Sequence, residues 1–211
     1  MAVGFIERLI MGWRNLELKL VSYLYSSLGQ HFLGENFEVF YKILLVTWLV
    51  FFIVTAGRIV WLRGKTGRGK IDGEKVTKLL GLGLMAVIVS YGVSQIVQIL
   101  IPLPRPFVVL KVKPLISHEA DASFPSDHAV VVFALQTWLS MSFRGEVCFD
   151  KVLWLLSWIL GVLVVVLRVV AGIHYLVDVA AGAVLGTFVT MLICGVLFGG
   201  VLQDKIDNTA L

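Results

Sequence analysis

Five apolar stretches, Val39–Leu62, Thr77–Ile101, Ser126–Phe143, Val152–Ala171 and Leu176–Leu202, constrain the fold of this chain more than any other feature. A helix crosses the hydrocarbon of a bilayer with roughly 20 apolar residues. In lipid only helices and closed barrels satisfy their own backbone groups, and runs of this length are helical. With 58% hydrophobic and 15% charged residues, and a mean hydropathy of +0.91, the chain is excluded from the ordinary soluble class. The expected architecture is an all-α, polytopic membrane helix bundle in one domain over residues 39–202, with a short tail at 203–211.

Residues 1–38 follow a different pattern. Phe5, Ile6, Leu9, Ile10, Trp13, Leu16, Leu20 and Leu24 recur at helical spacing among Glu7, Arg8, Arg14, Glu17 and Lys19. This predicts an amphipathic helix in the interface plane or across the bundle end, in preference to a short sixth span. The interspersed charges leave no apolar core for a signal peptide.

Charge in the loops sets the expected orientation. Arg63, Lys65, Arg68, Lys70, Lys75 and Lys78 crowd the connection between the first two stretches, against Asp72 and Glu74. The positive-inside rule places that loop, and the tail, in the cytoplasm. The connections at 102–125 and 172–175 then lie outside. The net charge of +4 is an orientation signal, and no basic face with base-reading residues suggests nucleic acid as a partner. Cys148 and Cys194 imply no disulfide framework, and no His/Cys cluster with metal-ligand spacing is present.

The polar residues that this topology gathers at the outer end are chemically coherent. Arg105, followed by Pro106, and Arg168 offer planar forks of donors suited to phosphate oxygens. Ser126 stands where a helix should start, so its hydroxyl and the free N–H groups of the first turn suit an anion. His174 and Asp178 are four apart, hence on one helix face. The carboxylate is expected to accept from one ring nitrogen, leaving the other free to attack. His128 is a second imidazole, from another helix. In-line phosphoryl transfer needs a nucleophile and a proton for the leaving oxygen. Two histidines divide those roles, and the His174–Asp178 pair favours His174 as the nucleophile.

The arrangement resembles the type 2 phosphatidic acid phosphatase (PAP2) superfamily, which includes vanadium haloperoxidases. Its pattern is Lys-x6-Arg-Pro, Pro-Ser-Gly-His and Ser-Arg-x5-His-x3-Asp. Here the chain has Gln98-x6-Arg105-Pro106, Pro125-Ser126-Asp127-His128 and Leu167-Arg168-x5-His174-x3-Asp178. The resemblance implies that His174 forms a phosphohistidine with Asp178 as its orienter, and that His128 is the acid on the leaving group. It implies that Arg105, Arg168 and Ser126 hold the phosphate, with no metal or other cofactor. Gln98, in place of Lys, and Asp127, in place of Gly, are carried as substrate-binding candidates. Gln98 brings no charge, and Asp127 must face away or find a partner to avoid repelling substrate.

The stretch from Ser117 to Ala129, with Asp127 in its motif, resembles the bacitracin-resistance branch of that family. Its members are undecaprenyl-diphosphate phosphatases serving bacterial cell-wall synthesis. The implied partners are the bilayer and a polyprenyl diphosphate lipid, admitted laterally between spans; oligomeric state is left open. The alternatives are a phosphatase for phosphatidylglycerophosphate or phosphatidic acid, and a non-catalytic lipid-phosphate binder. His118, Glu119 and Asp121 either rim the entrance or, on the plainer expectation, lie in a solvated outer loop. Gly182-x3-Gly186 and Gly195-x3-Gly199 are expected to pack within one bundle, and the tryptophans to serve as belt or core.

Overall fold

The structure, a computed structural model, describes residues 15–65, 70–143 and 147–203. The first part of the amphipathic pattern (1–14), Arg68 in the basic loop, and most of the tail (204–211) lie outside the described residues, as does the side-chain environment of position 199. The described part is almost wholly helical. Helix α1 covers 15–24 and continues as a wider π-helical segment, Tyr25–Leu33. It is followed by α2 (Phe37–Gly64), α3 (Gly73–Leu100), the short α4 (Pro106–Leu110), α5 (Asp127–Ser142), α6 (Cys148–Val170) and α7 (Leu176–Gln203).

Among the described residues, four helices, α2, α3, α6 and α7, are long and apolar enough to cross a membrane. They mostly start earlier than hydropathy indicates, because helix geometry continues into the polar flanks. Helix α3 is the clearest case: Asp72 accepts from the Lys75 N–H at 3.2 Å and caps it five residues before the apolar stretch begins. The fifth expected span, α5, is the exception. Its 16 residues reach about 24 Å at 1.5 Å per residue, short of a ~30 Å hydrocarbon core. It runs through the middle of the bundle, packed against α3, α6 and α7, so its neighbours rather than lipid cover it.

The closest packing joins α5 to α7. A Cβ on Gly182 would stand 2.6 Å from the Ser126 carbonyl oxygen, and one on Gly186 would collide with that of Val130. This pair therefore packs inside the bundle as expected, whereas Gly195 faces open space. Trp138 is buried and donates to the Leu79 carbonyl of α3 at 3.0 Å. Gln136 of α5 bonds Ser157 of α6 through both its carbonyl (2.7 Å) and its hydroxyl (2.8 Å). At the bundle end where α2 finishes and α6 begins, Arg58 pairs with the buried Asp150.

The opposite end carries the loops that matter for function. Segment 101–126 folds against the α6–α7 turn: the Phe107 N–H donates to Gly172 O at 2.9 Å and the Leu115 N–H to Ala171 O at 3.2 Å. Gly172 adopts φ 74°, a conformation costly for side-chain-bearing residues, and so reverses the chain immediately after α6. The N-terminal segment lies across this end. Tyr25 Oη donates to Lys113 O at 2.6 Å, and Glu17 Oε1 accepts from the Val177 N–H at 2.9 Å, in the first turn of α7.

Candidate active site

The local backbone explains how four separate segments reach one point. Pro106 occupies the first position of α4, where its missing N–H costs nothing, and leaves Arg105 as the preceding cap residue in extended conformation. Ser126 is the cap residue of α5, and its N–H donates to Asp178 O of α7 at 3.0 Å. After Gly172 turns the chain, the N–H groups of Ile173 and His174 both reach back to Arg168 O, at 3.1 and 3.3 Å. Arg168 and His174 are thereby set by one tight turn.

These segments enclose a cavity of about 400 Å³ walled by Arg105, Asp127, His128, Arg168 and His174, with His118 and Asp121 at its loop side. Leu45 and Trp48 of α2, Tyr91 of α3, and Val131 and Val132 of α5 form the apolar wall. Arg105, Arg168 and His174 are almost fully buried, and Ser126 and Asp178 completely so.

His174 is oriented by the backbone. Its Nδ1 lies 2.9 Å from the Ser123 carbonyl oxygen, which only accepts, so Nδ1 carries the proton and Nε2 bears the lone pair. Arg105 Nη1 donates to that Nε2 at 3.1 Å. Burial, then the neighbouring charges of Arg105 and Arg168, push the imidazole well below its usual range, so the ring is neutral. The expected carboxylate partner differs: Asp178 Oδ2 is 3.7 Å from Nδ1, beyond hydrogen-bond range. That oxygen accepts instead from the Tyr175 N–H at 2.9 Å, closing the first turn of α7. Asp178 thus presents charge to His174 without fixing its tautomer.

Two cations face the cavity. Arg105 Nε donates to Asp121 at 2.7 Å, and its Nη1 also reaches Ile173 O at 3.3 Å. Arg168 Nε is buried without a protein acceptor, and its guanidinium lies 5.9 Å from the centre of the Tyr41 ring. The Ser126 hydroxyl is likewise buried with no protein partner. A buried donor without an acceptor is costly; Arg168 lines the cavity, and Ser126, although not in its wall, directly precedes Asp127 and His128, which are, so the two suit a ligand rich in acceptor oxygens.

Of the three loop residues placed either at the entrance or in a solvated loop, two belong to the site. His118 and Asp121 line the cavity, and the His118 ring stands edge-on to that of His174 at 6.4 Å. Burial pushes His118 below its usual range. Burial acts upward on Asp121, but its hydrogen bond and ion pair with Arg105 outweigh this and hold the carboxyl low. Glu119 does not line the cavity.

Gln98 is placed differently from its expected role as a substrate contact. It is absent from the cavity wall, and its amide nitrogen donates to Asp127 Oδ1 at 2.7 Å and to Pro125 O at 3.2 Å. The same Asp127 oxygen accepts from Ser94 Oγ at 2.7 Å and Gln95 Nε2 at 3.0 Å. Asp127 therefore finds neutral donors on α3 rather than a cation. Ser94, Gln95 and the Ser123 carbonyl were missed from sequence, since nothing in residue spacing shows which helices touch. Among the described residues no group of His, Cys, Asp and Glu is arranged to hold a metal ion.

Known proteins share this framework. An undecaprenyl-diphosphatase, BcrC, of Bacillus subtilis is 36% identical over 140 residues, covering 66% of this chain and 62% of that protein. The bacitracin transport permease protein BcrC of Bacillus licheniformis is 29% identical over 170 residues, covering 80% of this chain and 74% of its own length. The match thus spans less than two thirds of the Bacillus subtilis relative. The crystal structure of Aquifex aeolicus LpxE shares the fold, with a TM-score of 0.56 and 21% identity over 85% of this chain and 95% of that one. The PAP2 superfamily pattern matches residues 79–199, more than half of the chain, including Arg105, Asp127, His128, Arg168 and His174 of the cavity wall but not its α2 side. The chain is therefore a multi-pass membrane protein that belongs to the PAP2 superfamily.

Proposed function

We propose that this protein removes the terminal phosphate of a polyprenyl diphosphate, undecaprenyl diphosphate, at the outer face of the membrane through a phosphohistidine intermediate. The observation that carries the proposal is the neutral His174, with Nδ1–H committed to Ser123 O and the Nε2 lone pair turned to Arg105 Nη1, a donor that phosphate oxygens can draw away.

The Nε2 lone pair attacks the terminal phosphorus as the bridging P–O bond breaks. Arg105, Arg168, the Ser126 hydroxyl and the first turn of α5 take up charge on the phosphoryl oxygens. With the negative charge of the diphosphate in the cavity to offset the arginines, His128 takes up a proton and gives it to the departing lipid monophosphate. The phosphorylated ring is cationic, and the nearby Asp178 charge and the Ser123 carbonyl stabilise it. Water then attacks the phosphorus and His128 takes its proton. The N–P bond breaks, releasing inorganic phosphate and restoring neutral His174.

Two features support a lipid with a long tail. The name of the Bacillus subtilis relative carries that substrate. An apolar hollow of about 520 Å³, lined by Phe52 and Gly57 of α2, Gly83 and Val87 of α3 and Leu135 and Trp138 of α5, continues the three helices that wall the phosphate cavity. The basic α2–α3 loop supports the outward orientation.

Phosphate release by the purified protein from undecaprenyl diphosphate, phosphatidylglycerophosphate and phosphatidic acid tests the substrate. Preference for the diphosphate is expected, and preference for a diacyl phosphate would overturn it. Orientation is tested with a membrane-impermeant thiol reagent on intact cells. A Glu119→Cys variant should be labelled and Cys148, exposed at the opposite end, should not; the reverse pattern overturns the outer-face assignment.

A further inference from the structure

Asp127 Oδ1 collects three side-chain donors, all from the last two turns of α3: Ser94 at 2.7 Å, Gln95 at 3.0 Å and Gln98 at 2.7 Å. A single carboxylate oxygen with three partners on one neighbouring helix is a built feature. Asp127 is also the first residue of α5, flanked by Ser126 and His128. Gln98 reinforces the contact through Pro125 O at 3.2 Å. Whatever holds Asp127 therefore holds the helix start that presents the Ser126 hydroxyl and the His128 ring.

Gln98 and Asp127 are the two positions where the chain departs in charge from the pattern it otherwise matches, and the two departures touch each other. Where the pattern has a cation on α3 this chain has Gln98, where it has Gly on α5 this chain has Asp127, and a neutral donor joins the two. We infer that Ser94, Gln95 and Gln98 are positioning residues that act through Asp127 to lock α3 to the start of α5, and that Gln98 is not a phosphate ligand. The catalytic half of this inference rests on the phosphatase reading above.

A double-mutant cycle with Gln98→Leu and Asp127→Ala tests it with two readouts. The first is thermal stability in detergent, which needs no activity. Gln98→Leu should lower the unfolding midpoint in the parent background but not when Asp127 is already Ala, and equal shifts in both would overturn the clamp. The second is kinetic. Gln98→Leu should lower kcat about tenfold and leave inhibition by vanadate, a phosphate mimic, within about twofold. Its effect on kcat should vanish in the Asp127→Ala background. A tenfold weaker vanadate affinity, or losses that multiply, would make Gln98 a ligand and sink the inference.

Gln98→Lys supplies a charged donor at the same reach. It should keep kcat within about threefold of the parent with vanadate affinity unchanged, whereas tenfold tighter vanadate would show the side chain reaching the anion. Should Gln98→Leu fail to fold, Ser94→Ala and Gln95→Leu, each removing one donor, carry the same comparisons. If the parent released no phosphate from any lipid phosphate, the phosphatase reading would fall while the stability cycle still decided the clamp.

Discussion

The Nδ1 of His174 is 2.9 Å from the carbonyl oxygen of Ser123. A main-chain atom, rather than a side chain, therefore fixes the tautomer that leaves Nε2 able to attack. The carboxylate four residues on stands farther away, at 3.7 Å, and is engaged by the Tyr175 amide. This division of labour ranks the effects of substitution.

His174→Ala should reduce phosphate release at least about 10³-fold, as expected for removal of a covalent nucleophile. Asp178→Asn should cost only about 10- to 100-fold, the usual range for an outer partner, because the Ser123 carbonyl still sets the ring. Steady-state kinetics on the two variants check this, and equal losses would make Asp178 the orienting group.

Asp121→Asn should act chiefly on substrate affinity. The Asp121 side chain is 55% exposed, so solvent screens its ion pair with Arg105. Raising KM about threefold with kcat nearly unchanged is the expected result; a selective fall in kcat would contradict it.

Acid should destabilise the protein partly through His174. Its ring is held below the usual range of about 6.5 in the folded state, so below that pH the unfolded chain binds the extra proton more readily. Stability contributed by the neutral ring is present above about pH 6.5 and is lost as pH falls towards the folded value. Unfolding midpoints measured from pH 7.5 to 5 should fall less steeply in His174→Gln than in the parent, and parallel curves would show that burial of His174 has no such effect.

Glycines on α7 separate packing from propensity. Gly186→Val would drive a side chain into the backbone of α5, and overpacking of this kind costs about 1–3 kcal/mol. Gly195→Ala meets open space and should be neutral or stabilising by up to ~1 kcal/mol through helix propensity. Thermal unfolding in one detergent compares them directly.

Gly57 also has nothing within 4 Å and lines the apolar hollow. Gly57→Phe should raise KM for undecaprenyl diphosphate several-fold while sparing a short-chain prenyl diphosphate. Equal effects on both substrates would detach the hollow from the lipid tail.

Much of this was legible in the sequence, for identifiable reasons. The apolar runs announced the helices, and the spacing of Arg105, His128, Arg168 and His174 announced a shared site, because span parity alone sends them to one end. What stayed hidden depended on lateral neighbours. Nothing in the order of residues says that α3 touches the start of α5, so Gln98 was read against the phosphate rather than against Asp127. A backbone acceptor such as Ser123 O has no side-chain signature at all. Asp121 resembled any loop acid until the fold set it beside Arg105. The brevity of α5 was obscured because hydropathy measures apolarity, not whether lipid or protein provides it.

The glycine contact between α5 and α7 has one more consequence. At Gly182 and Gly186, α7 comes against the Ser126 and Val130 carbonyl oxygens and the Ala134 amide, with the small Ala129 side chain beside them. The spacing between the helix starts bearing His128 and Asp178 is a dimension of the main chain, insulated from ordinary sequence drift. The α2 and α3 walls are built from side chains, so substitution there reshapes the apolar side of the cavity without moving those two helix starts.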